Sequence, residues 1–184
     1  MSNEATGANA RSADAGNLGY LALGLTLLAY GILGTGVLSG TGIKDAASVA
    51  HLVGGLTLFV AGLWQLRSGD GFTGTAFTGL GAFWATWSAA GGASKNAAGL
   101  FLLLWALLAL SLTLAAWNSG LLGRLVYGLF TLSLVVSALG VLTSTSSLGK
   151  AGGWLAAVAG LAAWYSATAS LTESGWGRAL LPTK

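Results

Sequence analysis

Cysteine is absent from the chain, which removes disulfides, thiolate metal sites and nucleophilic thiol chemistry together. Charge is nearly as scarce. Only 7% of the 184 residues are Asp, Glu, Lys or Arg, where a soluble domain carries about a quarter. So little charge cannot wet the outside of a globule, and lipid becomes the natural solvent for the surface. No Asp or Glu lies deep inside any long apolar run, so the buried carboxylate relays of familiar proton pumps have no counterpart. A nucleotide loop of the form G-x-x-x-x-G-K, an H-E-x-x-H helix and a Ser-His-Asp set are all missing, and the carboxylates are too few for a metal. The chain is therefore read as neither an enzyme nor a cofactor or metal binder. The net charge of +3 rests on few groups, and basic residues that set membrane topology account for it without a nucleic-acid partner.

What is present is apolar: 54% hydrophobic residues and a mean hydropathy of +0.76. Apolar runs recur at 19–39, 46–66, 72–92, 97–117, 121–142 and 151–171. Each is roughly 20 residues, the length that crosses about 30 Å of hydrocarbon at 1.5 Å per residue. Turn and charge signals punctuate them, such as Ser39-Gly40-Thr41-Gly42 and Arg67-Ser68-Gly69-Asp70-Gly71. The run from Gly99 to Leu110 does not alternate as a barrel strand must. The expected class is an all-α integral membrane protein of six transmembrane helices, a bundle enclosing a pore in each protomer. A disordered polar tail (1–15), one membrane domain (16–172) and a short carboxy-terminal tail (173–184) make up the chain. Six spans put both tails on one side, with Arg11, Arg67, Arg124, Arg178 and Lys184, against Lys44, Lys95 and Lys150 on the other. The count of five to three predicts that both termini face the cytoplasm of a cell membrane.

Many of the 30 glycines fall inside the runs, where they let helices approach closely in lipid. On the third run Thr75, Thr78 and Thr86, with Gly79 and Ala82, share one helical face, and Phe77, Phe83, Trp84 and Trp87 point largely elsewhere. That hydroxyl stripe is a candidate lining for a solute path, although threonines also bond back to their own helix. His51, the only histidine, stands about a turn inside the second run. It is a candidate pH-sensitive gate or an interfacial side chain. Trp64, Trp117 and Trp154 lie near span ends as headgroup anchors, and Trp105 and Trp164 lie deeper as packing residues.

Gly62-Leu63-Trp64-Gln65 leads through Gly69 and Phe72 to Thr75-Ala76-Phe77-Thr78 and then Gly81-Ala82-Phe83-Trp84; further on come Ala151-Gly152-Gly153-Trp154, Tyr165 and Gly177-Arg178-Ala179-Leu180-Leu181-Pro182. Together these resemble the acetate uptake transporter family, also called succinate-acetate permeases or YaaH-like proteins. The resemblance implies a homo-hexamer in the bilayer, each protomer with its own path for acetate, a similar small monocarboxylate or succinate. The family's N-P-A-P-L-G-like opening reads Asp14-Ala15-Gly16-Asn17-Leu18-Gly19, without its prolines. The family's constriction of Phe, Tyr and Leu falls at Leu23, Leu80 and Ser133, and an acidic position of many relatives is Gln65. Donors from Thr26, Thr75 and Thr78, beside Gly79, would replace part of a carboxylate's lost hydration. Arg67 and Arg124 are candidates for concentrating anions at a pore mouth. Two rival readings stay open: a channel for neutral solutes such as urea, amides or ammonia, and a structural membrane protein with no solute.

Overall fold

A computed structural model describes residues 15–40, 43–89 and 93–182. It is all helix among those residues. The expected polar tail, with Arg11 and Asp14, and the terminal Lys184 lie outside them, as does the Lys44 side chain.

Six helical rods follow one another up and down. We number them α1 (Gly16–Thr35), α2 (Ile43–Ala50, His51–Thr57 and Leu58–Arg67 in one rod), α3 (Gly71–Ala89), α4 (Lys95–Ala115, tightening into Ala116–Asn118), α5 (Leu121–Thr143) and α6 (Ser146–Trp176). Four of them are long and apolar enough to cross a membrane: α1, α4 with its tight last turn, α5 and α6. The α2 rod is interrupted at His51–Thr57, where the backbone widens into a π-helical turn carrying Gly54 and Gly55. Such turns insert a residue into the α-helical ladder and recur at functional sites.

The ends differ from the expected boundaries for local reasons. Helix α1 stops at Thr35 rather than 39, because Gly36 turns left-handed (φ 74°) while the Thr35 hydroxyl donates to the Ile32 carbonyl at 2.7 Å. Helix α6 starts at Ser146 rather than 151 and persists to Trp176, beyond the boundary placed at 172. The serine-rich stretch before Lys150 reads as a loop, yet only Ser144 and Thr145 are needed to reverse the chain. Ser144 turns left-handed (φ 56°), and the Thr145 amide donates to the Gly140 carbonyl at 2.9 Å. Asp70 caps α3, its carboxylate accepting from the Thr73 amide at 3.0 Å.

Helix α6 packs along both α1 and α5, α5 along α4, and α2 along α3. The α1–α6 seam is made of small residues seven apart. A Cβ on Gly24 would stand 2.6 Å from the Trp164 amide nitrogen, and one on Gly31 would stand 2.5 Å from that of Ala157. Backbone is in the way at both, so only glycine permits this separation. The α3–α4 seam works the opposite way, with rings filling the space between the rods. Phe83 stacks on Phe101 at 5.9 Å between centroids and meets Trp105 at 5.6 Å, while Trp87 stacks on Phe101 at 5.7 Å. The face of α3 that enters the core is thus Phe77, Leu80, Phe83, Trp84 and Trp87, all buried. This corrects the expectation that the aromatic face turns away from the centre.

Candidate solute pathway

Two cavities open at opposite ends of the bundle. One, about 310 Å³, lies where α1, α3 and α5 end and α6 begins, lined by Tyr30, Trp87, Leu102, Ser137, Val141 and Lys150 among others. The other, about 230 Å³, lies where α1 and α3 begin, lined by Asn17, Tyr20, Gln65, Asp70, Thr73 and Ser166 among others. The first is walled mainly by apolar groups and the second mainly by polar ones.

Between them the interior is closed. Tyr20, at the floor of the Asp70-end cavity, meets the Phe77 ring edge-on at 5.0 Å, and its hydroxyl lies 3.3 Å from that of Tyr127. At the other end Tyr30 meets Trp84 edge-on at 5.1 Å. Since α1 and α3 run in the same direction, Leu23 and Leu80 fall between these two ring contacts, at one level of the plug. They are 0% and 1% exposed, so no water-filled bore passes them in this state.

The residues singled out from sequence separate into three groups. Leu23, Leu80 and Thr26 lie in the plug, with the Thr26 hydroxyl enclosed and unpartnered against Gly54 and Trp84. Ser133 is equally buried, but its hydroxyl donates to the Gly152 carbonyl at 2.8 Å, within the α5–α6 seam. The α5 rings that meet the α1–α3 level are Tyr127 and Phe130. The threonine stripe does share one face, but that face looks away from the core. Thr75 is exposed, and Thr86 is exposed with its hydroxyl bonded back to the Ala82 carbonyl at 2.7 Å. Thr78 packs against Gly62 in the α2–α3 seam, its hydroxyl enclosed and unpartnered, and Gly79 faces Leu108 of α4. The cause is packing: the α3 rings interlock with those of α1, α4 and α5 on the inner face, and the threonines fall on the face that is left.

His51 opens the π-helical turn of α2 and is half-buried, one turn from the Gly54 that touches Thr26. Arg67 and Arg124 are exposed and line neither cavity. The guanidinium of Arg124 lies 5.8 Å over the Trp117 ring, and its Nε donates to the Gly120 carbonyl at 3.3 Å. Trp64 and Trp117 are exposed near helix ends, as anchors are; Trp154 is exposed but lies more than two turns inside α6, which begins earlier than expected, and Trp164, expected to pack deeper, is exposed too, touching α1 through its backbone. Sequence reasoning missed Tyr20, Tyr127, Asp70 and Lys150. The available signal was Tyr20 and Tyr127, polar tips on apolar bodies inside otherwise aliphatic runs. Among the described residues no cluster of His, Asp and Glu is close enough to hold a metal.

A six-helix bundle with a cavity at each end and an apolar plug has the form of a solute conductor. The profile of the GPR1/FUN34/yaaH family matches residues 2–177, nearly the full length. The chain belongs to that family. It is 25% identical over 183 residues to the succinate-acetate/proton symporter SatP of Escherichia coli K12, covering 95% of this chain and 96% of the relative. It is 29% identical over 136 residues to accumulation of dyads protein 2 of Saccharomyces cerevisiae, covering 66% of this chain. The chain spans about half the length of that yeast relative (48%). The solved structure of the bacterial acetate channel SatP superposes with a TM-score of 0.86 at 24% identity, covering 94% of this chain and 99% of that one. The fold is shared with that channel. Membership and the shared fold confirm the all-α, six-helix, multi-pass membrane class.

Proposed function

We propose that the chain conducts acetate and similar small monocarboxylates across a cell membrane, through a path inside each protomer. The carrying observation is the pair of cavities at opposite ends of the bundle, with the buried Leu23 and Leu80 between them. This sits in a fold whose solved counterpart is an acetate channel and whose near full-length relative is a succinate-acetate symporter. Succinate belongs to the same reading as a second solute.

The closed interior holds unpartnered donors in the plug, beside the Lys150-end cavity and in the α2–α3 seam, and only the two hydroxyls among them can also accept. The enclosed indole nitrogens of Trp84 and Trp87 have no partner and can only donate, and the Thr26 and Thr78 hydroxyls are free to donate. Unpaired donors suit a solute rich in acceptor oxygens, because each bond made in transit offsets part of the lost hydration. Ammonia, which must also donate, finds fewer partners there; urea, with its carbonyl, remains the rival. Thr75, on the outer surface, is left to lipid or a neighbouring protomer, and Gly79 to packing.

The assembly in this reading is a homo-hexamer in the bilayer. Exposed Leu100, Leu104, Leu107 and Leu114 on α4, and Leu52, Leu56, Phe59 and Leu63 on α2, give the protomer an apolar exterior for lipid and neighbours. Both termini face the cytoplasm, which places the Asp70 cavity inside and the Lys150 cavity outside.

Uptake of labelled acetate into proteoliposomes, with unlabelled acetate, succinate, urea and formamide as competitors, tests the reading. Acetate and succinate compete if it is right. Competition by urea alone, or no flux above empty vesicles, overturns it.

A further inference from the structure

The Lys150-end cavity separates charge from apolar surface along its depth. Its deep wall is Tyr30, Trp87 and Leu102, all buried, with Val141 and glycines between them. Its rim is exposed: Ser144, Ser146 and Lys150. The Lys150 ammonium is held at that rim beside Gly36, where a Cβ would stand 3.3 Å from Lys150 Cε and 3.8 Å from Nζ. Gly36 closes α1, so the ammonium sits where the last helical carbonyls carry partial negative charge and favour a cation. A second ammonium flanks the rim: Lys95 Nζ donates to Ser144 Oγ at 3.4 Å. Among the described residues, no Asp or Glu lines the cavity.

We infer that this cavity is an antechamber for short straight-chain monocarboxylates, with a preference for tails longer than that of acetate. The carboxylate is held at the rim by Lys150, with Lys95 beside it, and the alkyl tail lies inward against Tyr30, Leu102 and Val141. This rests on the transport reading and narrows its substrate class. A volume of about 310 Å³ is at the lower end of small-ligand pockets and exceeds what a two-carbon acid fills. Each further methylene buried against these walls tightens binding by roughly fourfold until the depth is used. A dicarboxylate lying tail-inward is penalised, because its second carboxylate would enter a mainly apolar wall whose polar groups are the Tyr30 and Ser137 hydroxyls and the enclosed Trp87 indole, with no cation among them. Succinate therefore ranks below butyrate at this cavity, whatever its rate through the plug.

The test is titration calorimetry of the purified full chain in detergent with acetate, propionate, butyrate, hexanoate, succinate and hexanol, alongside acetate flux in proteoliposomes. Affinity is expected to rise from acetate to butyrate, with succinate weaker than butyrate. Lys150→Gln should weaken butyrate at least tenfold and Lys150→Arg should restore most of it, while Val141→Trp should remove the gain from tail length. Both lysine variants change an exposed side chain, and unchanged thermal unfolding verifies that they are folded. A flat chain-length series, or hexanol binding as tightly as hexanoate, overturns the proposal and marks an acyl-chain pocket. Absent flux with the butyrate series intact sinks the transport reading and leaves the cavity; normal flux with no butyrate binding does the reverse.

Discussion

Gly54 of α2 lies directly against Thr26 of α1. A Cβ on Gly54 would stand 2.5 Å from Thr26 Cγ2, 2.9 Å from its hydroxyl and 3.0 Å from Trp84 Cγ. Three helices thus meet at one point in the plug, and the π-helical turn of α2 is what brings the glycine there. Gly54→Ala must push Thr26 or Trp84 aside. It is expected to cost about 1–3 kcal/mol of stability and to reduce acetate flux in protein that still folds. Thermal unfolding and vesicle uptake on the same preparation check both; normal flux would detach this junction from the path.

Gly31→Ala tests the α1–α6 seam. The new methyl would meet the Ala157 amide nitrogen at 2.5 Å and the Gly153 carbonyl at 2.6 Å, and neither backbone can step aside. The rods must separate, with an expected loss of more than about 1 kcal/mol and a lower unfolding temperature. Gly149→Ala is the control, since nothing lies within 4 Å of its Cβ.

Leu80→Trp should block flux by overfilling a plug already closed, while Leu80→Ala should open it to urea and formamide. The cavity left by the alanine costs about 2–5 kcal/mol, so each variant is compared at matched folded fraction. Wild-type selectivity in Leu80→Ala would remove Leu80 from the barrier.

Ser133 and Thr78 separate packing from passage. Ser133→Ala gives up the bond to the Gly152 carbonyl and should lose about 0.5–1.5 kcal/mol with little change in flux. Thr78→Val deletes an enclosed hydroxyl that has no partner in the closed state, so stability should hold while flux slows. Reversal of the two phenotypes would return Ser133 to the constriction.

His51→Ala addresses the gate. If His51 gates entry from the first turn of the π segment, the pH profile of acetate uptake by the variant differs from that of the wild type. Identical profiles would make His51 an interfacial side chain only.

Much of the architecture was legible in the chain. Scarce charge demanded lipid, run lengths near 20 residues demanded helices, and the glycines inside the runs announced close packing, which the fold realises at Gly24, Gly31, Gly153 and Gly160. Leu23 and Leu80, read as constriction residues, and Thr26, read as path lining, are buried in the fold. The two-residue reversal at Ser144-Thr145 was not legible, since a serine-rich stretch reads as a loop until its turn geometry is seen.

Which face of α3 turns inward was decided only by the fold. Periodicity put Thr75, Thr78 and Thr86 on one side and Phe77, Phe83, Trp84 and Trp87 on another, but a helix surrounded by lipid and other helices has no polar solvent to orient it. Packing against α1, α4 and α5 drew the rings to the centre and left the threonines at the seams and surface. The chain by itself determined that six apolar helices form in a membrane, because backbone polar groups in hydrocarbon must bond within each segment. Where the cavities open, and which lysines and tyrosines guard them, follows from contacts between residues far apart in the chain. Local pattern carries no record of those.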